Sequence, residues 1–398
     1  MNNIFTFFLV IFQLLFLYAT AIPSVSVADI ILLFMYPILI ISLIKRKRLV
    51  FKKCYLFLLF FFIYVMFQFA FLCFVEGSSF INEAFLRTGR FLFYLFTVIF
   101  LAPHFFNIRL GTRILKYVCL ISTCFLFFQL LMVEFANIYI PGTIPELPIM
   151  RADLAEFNQN IMEVDFLIRP RSFFAEPAHY ASYVILYLAL GLFSEKNTFK
   201  DFLPEIIISI GLLVSNSATG IITGIIVWIL FIFHTILKIN SQNKKNKFLL
   251  PVLIGTPITI ICIMFTNYFQ IFLTRVLGSG LDNLGSAAIG RFGNYKWAFS
   301  LDGLALYEIL FGRGMVEIEK FIPAIAKLFY YYGLVGIILF FIMLLIIIFK
   351  AELKQKVIII LIFILSIGGD AIFGPNSLYY LLFFMNDKIQ LVSKNELR

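Results

Sequence analysis

The densest polar stretch of the chain is Arg169-Pro170-Arg171-Ser172-Phe173-Phe174-Ala175-Glu176-Pro177-Ala178-His179-Tyr180. Pro177 suits the first turn of a helix, where a missing N–H costs nothing. Glu176 then falls at the cap, and the helix runs on through Leu190. Its first turn offers free N–H groups and the positive end of the helix dipole beside Arg169 and Arg171, which suits an anion. Glu176, His179, Tyr180, Tyr183 and Tyr187 follow at i, i+3, i+4, i+7 and i+11, so they form one polar and aromatic stripe. The same stripe also fits an interfacial Tyr/His belt with Glu176 bonded to a neighbouring Arg.

A second group lies further on. Gly290 to Trp297 reads as a short helix with Arg291, Asn294 and Tyr295 on one face. Leu310-Phe311-Gly312-Arg313-Gly314 sets an Arg between two glycines, which allow close backbone approach. Tyr330-Tyr331-Tyr332-Gly333-Leu334-Val335-Gly336 opens an apolar run, where a Tyr cluster reads first as an aromatic belt and small residues as packing. Ser215 to Gly220 is a polar break that either turns the chain at a surface or lines a cavity. Asp29 and Asp370 lie near span ends, and His104 and His234 read as structural. No GxxxxGK loop, DxD pair, HExxH or EF-hand loop is present, so no P-loop nucleotide site is expected, and neither a metal nor a cofactor.

The elements that must position these groups are membrane helices. Of 398 residues, 62% are apolar and 14% charged, against about 45–50% and about 25% in soluble domains. That apolar content would fill about twelve spans of about 20 residues. It excludes a soluble enzyme, a disordered chain and a secreted disulfide scaffold. The five cysteines sit in or beside apolar runs without CxxC spacing. Spans are expected near 4–22, 25–44, 54–75, 91–102, 114–133, 178–193, 203–216, 218–237, 248–266, 329–349, 357–373 and 376–386. The span at 203–216 is the weakest and could be re-entrant. The first span, which follows Met-Asn-Asn, reads as retained rather than cleaved.

With both termini cytoplasmic, the inside segments hold 21 of the 32 basic residues, 16 of them Lys. Most of the +10 net charge is therefore orientation, and nucleic acid is not an expected partner. Outside, eight of eleven basic residues are Arg: Arg87, Arg90, Arg151, Arg169, Arg171, Arg275, Arg291 and Arg313. Arg holds phosphate oxygens with a planar fork, whereas Lys is a mobile point charge. The expected fold is all-α: one polytopic membrane domain over 1–398 with two long outer loops, 134–177 and 267–328, partly helical and folded over the membrane.

The run from Arg171 through Phe173-Phe174 and Glu176-Pro177 to Tyr183 resembles the signature of the O-antigen polymerase and ligase superfamily. Three further pieces follow in the family's order: the break Ser215 to Gly220, the loop carrying Arg291, Trp297 and Gly312-Arg313-Gly314, and Tyr332 to Gly336. The likeness covers about 169–336. It implies a multi-pass glycosyltransferase of the bacterial inner membrane, working at the periplasmic face on oligosaccharide repeats carried by undecaprenyl diphosphate. Partners would be these lipid-linked repeats, membrane lipid and, where one exists, a chain-length regulator.

Arg171 and Arg291 match family positions that hold the diphosphate, with Arg169, Arg313, Tyr180, Tyr183, Asn294 and Tyr295 as further substrate contacts. Glu176 is the first candidate general base and His179 the second. Ligases resemble one another in a His within the large outer loop, and 267–328 has none, which favours a polymerase. The Arg-x10-Gly spacing of some polymerases is not met, since eleven residues separate Arg291 from Gly303. The alternatives are a ligase, and a flippase or other transporter of lipid-linked oligosaccharide.

Overall fold

The computed structural model describes residues 2–22, 25–46, 53–144, 146–150, 170–194, 199–242, 289, 292–318 and 320–385. Among these, regular structure is helical, and the extended pairings are two isolated bridges, Tyr18 with Ile149 and Ala19 with Ser26. The helices are α1 (Asn2–Phe16), α2 (Val27–Arg46), α3 (Lys53–Glu76), α4 (Ser78–Phe96), α5 (Ala102–Phe105), α6 (Ile108–Ala136), α7 (Pro177–Leu192), α8 (Leu203–Val214), α9 (Ala218–Gln242), α10 (Tyr295–Ala298), α11 (Leu306–Phe311), α12 (Ala324–Lys350), α13 (Leu353–Gly368) and α14 (Pro375–Met385).

Among the described residues, six stretches are long and apolar enough to cross a membrane: Val27–Lys45, Leu56–Glu76, Ser78–Phe105, Ile108–Ala136, Ala218–Leu237 and Ala324–Phe349. Asn2–Phe16, Pro177–Leu192 and Leu203–Val214 are apolar but shorter. Large side chains such as Phe34, Phe60, Phe67, Phe74, Phe135 and Phe349 face outward. Apolar surface of that extent suits lipid rather than water. The chain is an α-helical membrane protein.

Each span expected within the described residues coincides with a helix, while 248–266 lies outside them. One boundary differs substantially. The segment expected at 91–102 begins at Ser78, so Arg87 and Arg90 stand on a helix rather than in a loop. Their charges lower the local hydropathy, but Phe80, Ala84, Thr88, Phe91, Tyr94 and Leu95 recur at helical spacing and bury one face. This helix passes through a π turn at Thr97–Leu101 into α5. The Thr97 hydroxyl there bonds the Phe93 carbonyl at 2.9 Å and the Tyr36 hydroxyl at 2.6 Å.

The chain, read from sequence as one domain, divides into two compact units. The first comprises Met1–Ile114, Glu146–Ala152 and Arg291–Arg398, and the second Leu115–Pro145 and Asp153–Gly290. In the first unit the organising feature is a break inside α12 at Gly333, with φ 63° and ψ −164°. The carbonyls freed there are taken up. Arg313 and Gly314 donate backbone N–H to Tyr330 and Tyr331, both at 2.9 Å. Gln68 of α3 donates its amide to the carbonyls of Tyr331 (2.8 Å) and Phe311 (2.9 Å), and the Tyr64 hydroxyl donates to Tyr332 at 2.7 Å.

Such a break is tolerated in a membrane helix where the freed groups find partners, as the carbonyls of Tyr330, Tyr331 and Tyr332 do here. A Cβ at Gly333 would lie 2.5 Å from the Gly312 nitrogen and the Leu310 carbonyl oxygen, so the approach requires glycine.

In the second unit α7 is the buried centre, with Tyr183 through Leu192 all buried. α8 runs back along it, Glu205 against Tyr187 and Gly211 against Tyr180. α9 follows α7, with Gly220 against Ala181 and Phe231 against Phe193.

Gln68→Leu leaves two buried backbone carbonyls without their amide donor. It is expected to destabilise the protein by about 1–3 kcal/mol, read as a lower unfolding midpoint in mixed micelles. An unchanged midpoint would show that the break does not depend on this amide.

Candidate functional site

The loop before α7 is built in the second unit by residues of α6. Ser172 adopts a left-handed backbone (φ 56°). It donates its N–H to Gln129 Oε1 at 2.8 Å and its hydroxyl to the Ser122 carbonyl at 2.7 Å. Gln129 completes the clamp by donating to the Ile140 carbonyl at 2.8 Å. Phe173 stacks on Phe125 with ring centroids 4.5 Å apart, and Phe174 packs on Tyr180 and Tyr183. Gly142 lies so close to the loop that a Cβ there would fall 1.9 Å from the Ser172 carbonyl oxygen.

This packing holds Arg171 at 4% exposure. Its Nη1 donates to the Ala175 carbonyl at 2.8 Å, but Nε and Nη2 are buried with no hydrogen-bond partner among the described residues. These two nitrogens form one edge of the guanidinium, the edge that offers two parallel N–H bonds to an oxyanion. Burying a guanidinium without a counter-charge costs several kcal/mol.

Glu176 is the N-cap of α7, with extended backbone (φ −139°, ψ 155°). Its carbonyl accepts from the N–H groups of His179 (3.0 Å) and Tyr180 (3.2 Å), while its carboxylate does not cap the helix. His179 is exposed.

The expected tyrosine stripe turns inward instead of facing a ligand. Tyr180 and Tyr183 are fully buried, Tyr180 shares a 2.8 Å hydrogen bond with Thr123, and Tyr187 donates to Glu205 at 3.1 Å. The rings of these tyrosines are apolar enough to be covered by α6 and α8, while His179 of the same expected stripe is exposed.

Further polar atoms of this unit are buried without a hydrogen-bond partner among the described residues. They include the Ser122 hydroxyl, next to the Arg171 loop, and the Asn216 amide nitrogen in the break between α8 and α9. Asn216 has left-handed backbone (φ 48°), and Ser215 and Ser217 beside it are buried. Contact of Gly220 with Ala181 sets this break at the N-terminal end of α7. Sequence reading passed over Ser122, Gln129 and Gly142. A lone Gln inside the apolar run of α6 was the available signal.

In the first unit, Asn294 and Tyr295 are committed to structure. Asn294 donates its amide to the Phe321 carbonyl at 2.9 Å, and Tyr295 its hydroxyl to the Ile367 carbonyl at 2.6 Å. Burial pushes the Tyr295 phenol above its ordinary pKa. Arg313 pairs with Glu308 at 3.3 Å and lies 5.0 Å over the Tyr330 ring, beside a cavity of about 120 Å³. On the other side of α10, Phe292, Tyr295, Ile325 and Ile367 border an open apolar cleft. Nearby, the Glu76 carboxylate, accepting from the Tyr307 hydroxyl at 2.6 Å, pushes that phenol up to about 12.

Asp29 caps α2 through Ser26 and accepts from Tyr94, and Asp370 pairs with Lys327, so both acids are structural. Arg169 and Arg291 lie outside the described residues. Among the described residues no group of three His, Cys, Asp or Glu could hold a metal ion. Comparison of the chain with family models, curated proteins and solved structures finds no match in any of the three.

Gln129→Leu removes both the Ser172 clamp and the bond to Ile140. Limited proteolysis in detergent should then cut within 170–176 several-fold faster than in the parent. Equal cutting rates would mean that ring stacking alone holds the loop.

Proposed function

We propose that the protein is a glycan polymerase. In this reading it transfers a growing saccharide from undecaprenyl diphosphate to another lipid-linked repeat, at the periplasmic face of a bacterial inner membrane. The topology that goes with it has twelve spans and both termini in the cytoplasm. One observation supports the proposal. Arg171 is buried, and the Nε and Nη2 edge of its guanidinium has no hydrogen-bond partner among the described residues. A diphosphate oxygen pair would supply both the missing acceptors and the missing counter-charge.

The chemistry follows from that placement. Departure of the diphosphate develops negative charge, and a fixed guanidinium already stripped of water stabilises it without reorganisation or a metal. The acceptor hydroxyl must lose a proton, and Glu176, at the end of the same loop, is the nearest carboxylate in sequence to Arg171. His179, three residues on and exposed, is the second candidate. Arg169, two residues before Arg171 in the sequence, would add a second cation for the diphosphate. Tyr180 and Tyr183 act through packing: they seat Phe174 and thereby the loop.

Arg171→Ala should cut transfer by about 10²–10³-fold, leaving surface polysaccharide capped with single repeats on a gel. Arg171→Lys should not restore the ladder, because a point charge cannot reproduce the two-bond edge. Membrane abundance of each variant is measured alongside. A full-length ladder from Arg171→Ala at normal abundance would overturn the reading. In the ligase alternative, deletion of the protein leaves long polymer stranded on the carrier lipid, and a flippase defect leaves neither polymer nor capped core.

A further inference from the structure

The cavity of the first unit has a lining unlike that around Arg171. Trp297, Ser300, Asp302, Leu304, Glu308, Arg313, Phe329 and Tyr330 surround about 120 Å³. Two carboxylates face one guanidinium, and that guanidinium is already paired with Glu308 at 3.3 Å. The lining residues carry a net formal charge of about −1, with the Lys320 ammonium 5.4 Å from the Trp297 ring beside them, and their one guanidinium is already engaged, so phosphate is offered no open cation within the lining. Nor does the cavity suit an apolar ligand, since such a ligand would strip water from Asp302 and Glu308 without replacing it.

What fits is a small, neutral, hydrogen-bonding ring with apolar C–H faces. Carboxylates accept hydroxyl protons, and the Ser300 and Tyr330 hydroxyls are further partners. Trp297, Phe329 and Tyr330 supply apolar ring edges, held by stacking: Trp297 on Tyr330 with centroids 5.4 Å apart, and Phe329 on Phe299, behind the lining, at 5.2 Å. We infer that this cavity is a pyranose subsite, selective for neutral over acidic sugars. The assignment rests on the glycan-transfer reading above only for its biological use, not for its chemistry.

The walls are also fixed in advance. Backbone N–H groups of Arg313 and Gly314 are pinned to carbonyls of the α12 break, and Arg313 bonds both Glu308 and, at 3.4 Å, the Tyr330 hydroxyl. Glu308 accepts the Ala305 N–H at 2.7 Å, and Asp302 accepts the Ser300 hydroxyl at 2.9 Å. Groups locked by their neighbours lose little freedom when a ligand arrives.

The chain has two tryptophans, Trp228 and Trp297. Trp228→Phe therefore leaves Trp297 as the sole indole reporter. Purified full-length protein in detergent, with and without Trp228→Phe, is titrated with glucose, galactose, N-acetylglucosamine, glucuronate and inorganic pyrophosphate. Neutral sugars should change the Trp297 emission saturably in the millimolar range, with glucuronate about tenfold weaker and pyrophosphate without effect.

Glu308→Gln and Asp302→Asn should each weaken neutral-sugar binding about tenfold, and Asp302→Asn should narrow the gap between glucose and glucuronate. A flat response to every sugar in both backgrounds overturns the subsite, as does binding that both substitutions leave unchanged. Saturation by pyrophosphate would make the cavity an anion site and equally overturn it. The titration needs no turnover, so its outcome is independent of whether Arg171→Ala stops polymerisation.

Discussion

A helix inside a membrane can abandon its regular hydrogen bonding only where other groups of the protein replace the lost partners. The break in α12 at Gly333 meets that condition with a turn and two side chains. The carbonyls of Tyr330, Tyr331 and Tyr332 receive the N–H groups of Arg313 and Gly314, the Gln68 amide and the Tyr64 hydroxyl. Much of the first unit follows from this one constraint. The turn must come within backbone contact of the helix, so its flanking residue is Gly312, at φ 76°. Arg313 is carried to the Tyr330 ring, and α11 is held so that Glu308 can meet Arg313. The polar cavity is a product of a helix break.

The second unit answers the same demand in another way. Its irregular segment, 170–176, is satisfied by Gln129 and by the Ser122 carbonyl, both belonging to a continuous helix that spends side-chain and main-chain groups on a loop. A helical carbonyl has a second lone pair free for this purpose. In both units a Gln within an apolar helix repairs irregular backbone. A neutral amide does this at far lower desolvation cost than a charged group.

Hydropathy made the helices legible, because a segment that meets lipid must be apolar along its length whatever its neighbours are. It misplaced the start of α4, where Glu83, Arg87 and Arg90 interrupt the run while its other face stays buried. Glu176-Pro177 correctly marked the start of α7, since capping is a local property. Arg171 was visible as a residue, but its burial was not, because that depends on Ser122, Gln129 and Gly142 arriving from a distant helix. The same holds for the tyrosines after Glu176. Spacing shows which side chains share a face and not which element covers it. Gly312 and Gly333 were read as separate features, and nothing in spacing alone says that they touch.

The arginines sort themselves by what they face. Arg87 meets Glu317 at 2.7 Å and Arg313 meets Glu308 at 3.3 Å, so each has a carboxylate beside it within the protein. Arg171 is buried where charge is expensive, and its Nε and Nη2 find no acceptor among the described residues. A fold under no other requirement would replace it with an apolar residue, as buried ion pairs can be replaced without loss of stability. Retaining it uncompensated makes sense when a ligand brings the compensation. Such a ligand must be an anion with at least two oxygens placed for one guanidinium edge. The chemistry of phosphate and the chemistry of sugar hydroxyls thus call for opposite electrostatics. Under the proposed function, Arg171, whose Nε and Nη2 have no partner among the described residues, would serve the first, and Arg313, paired and outnumbered by carboxylates, the second.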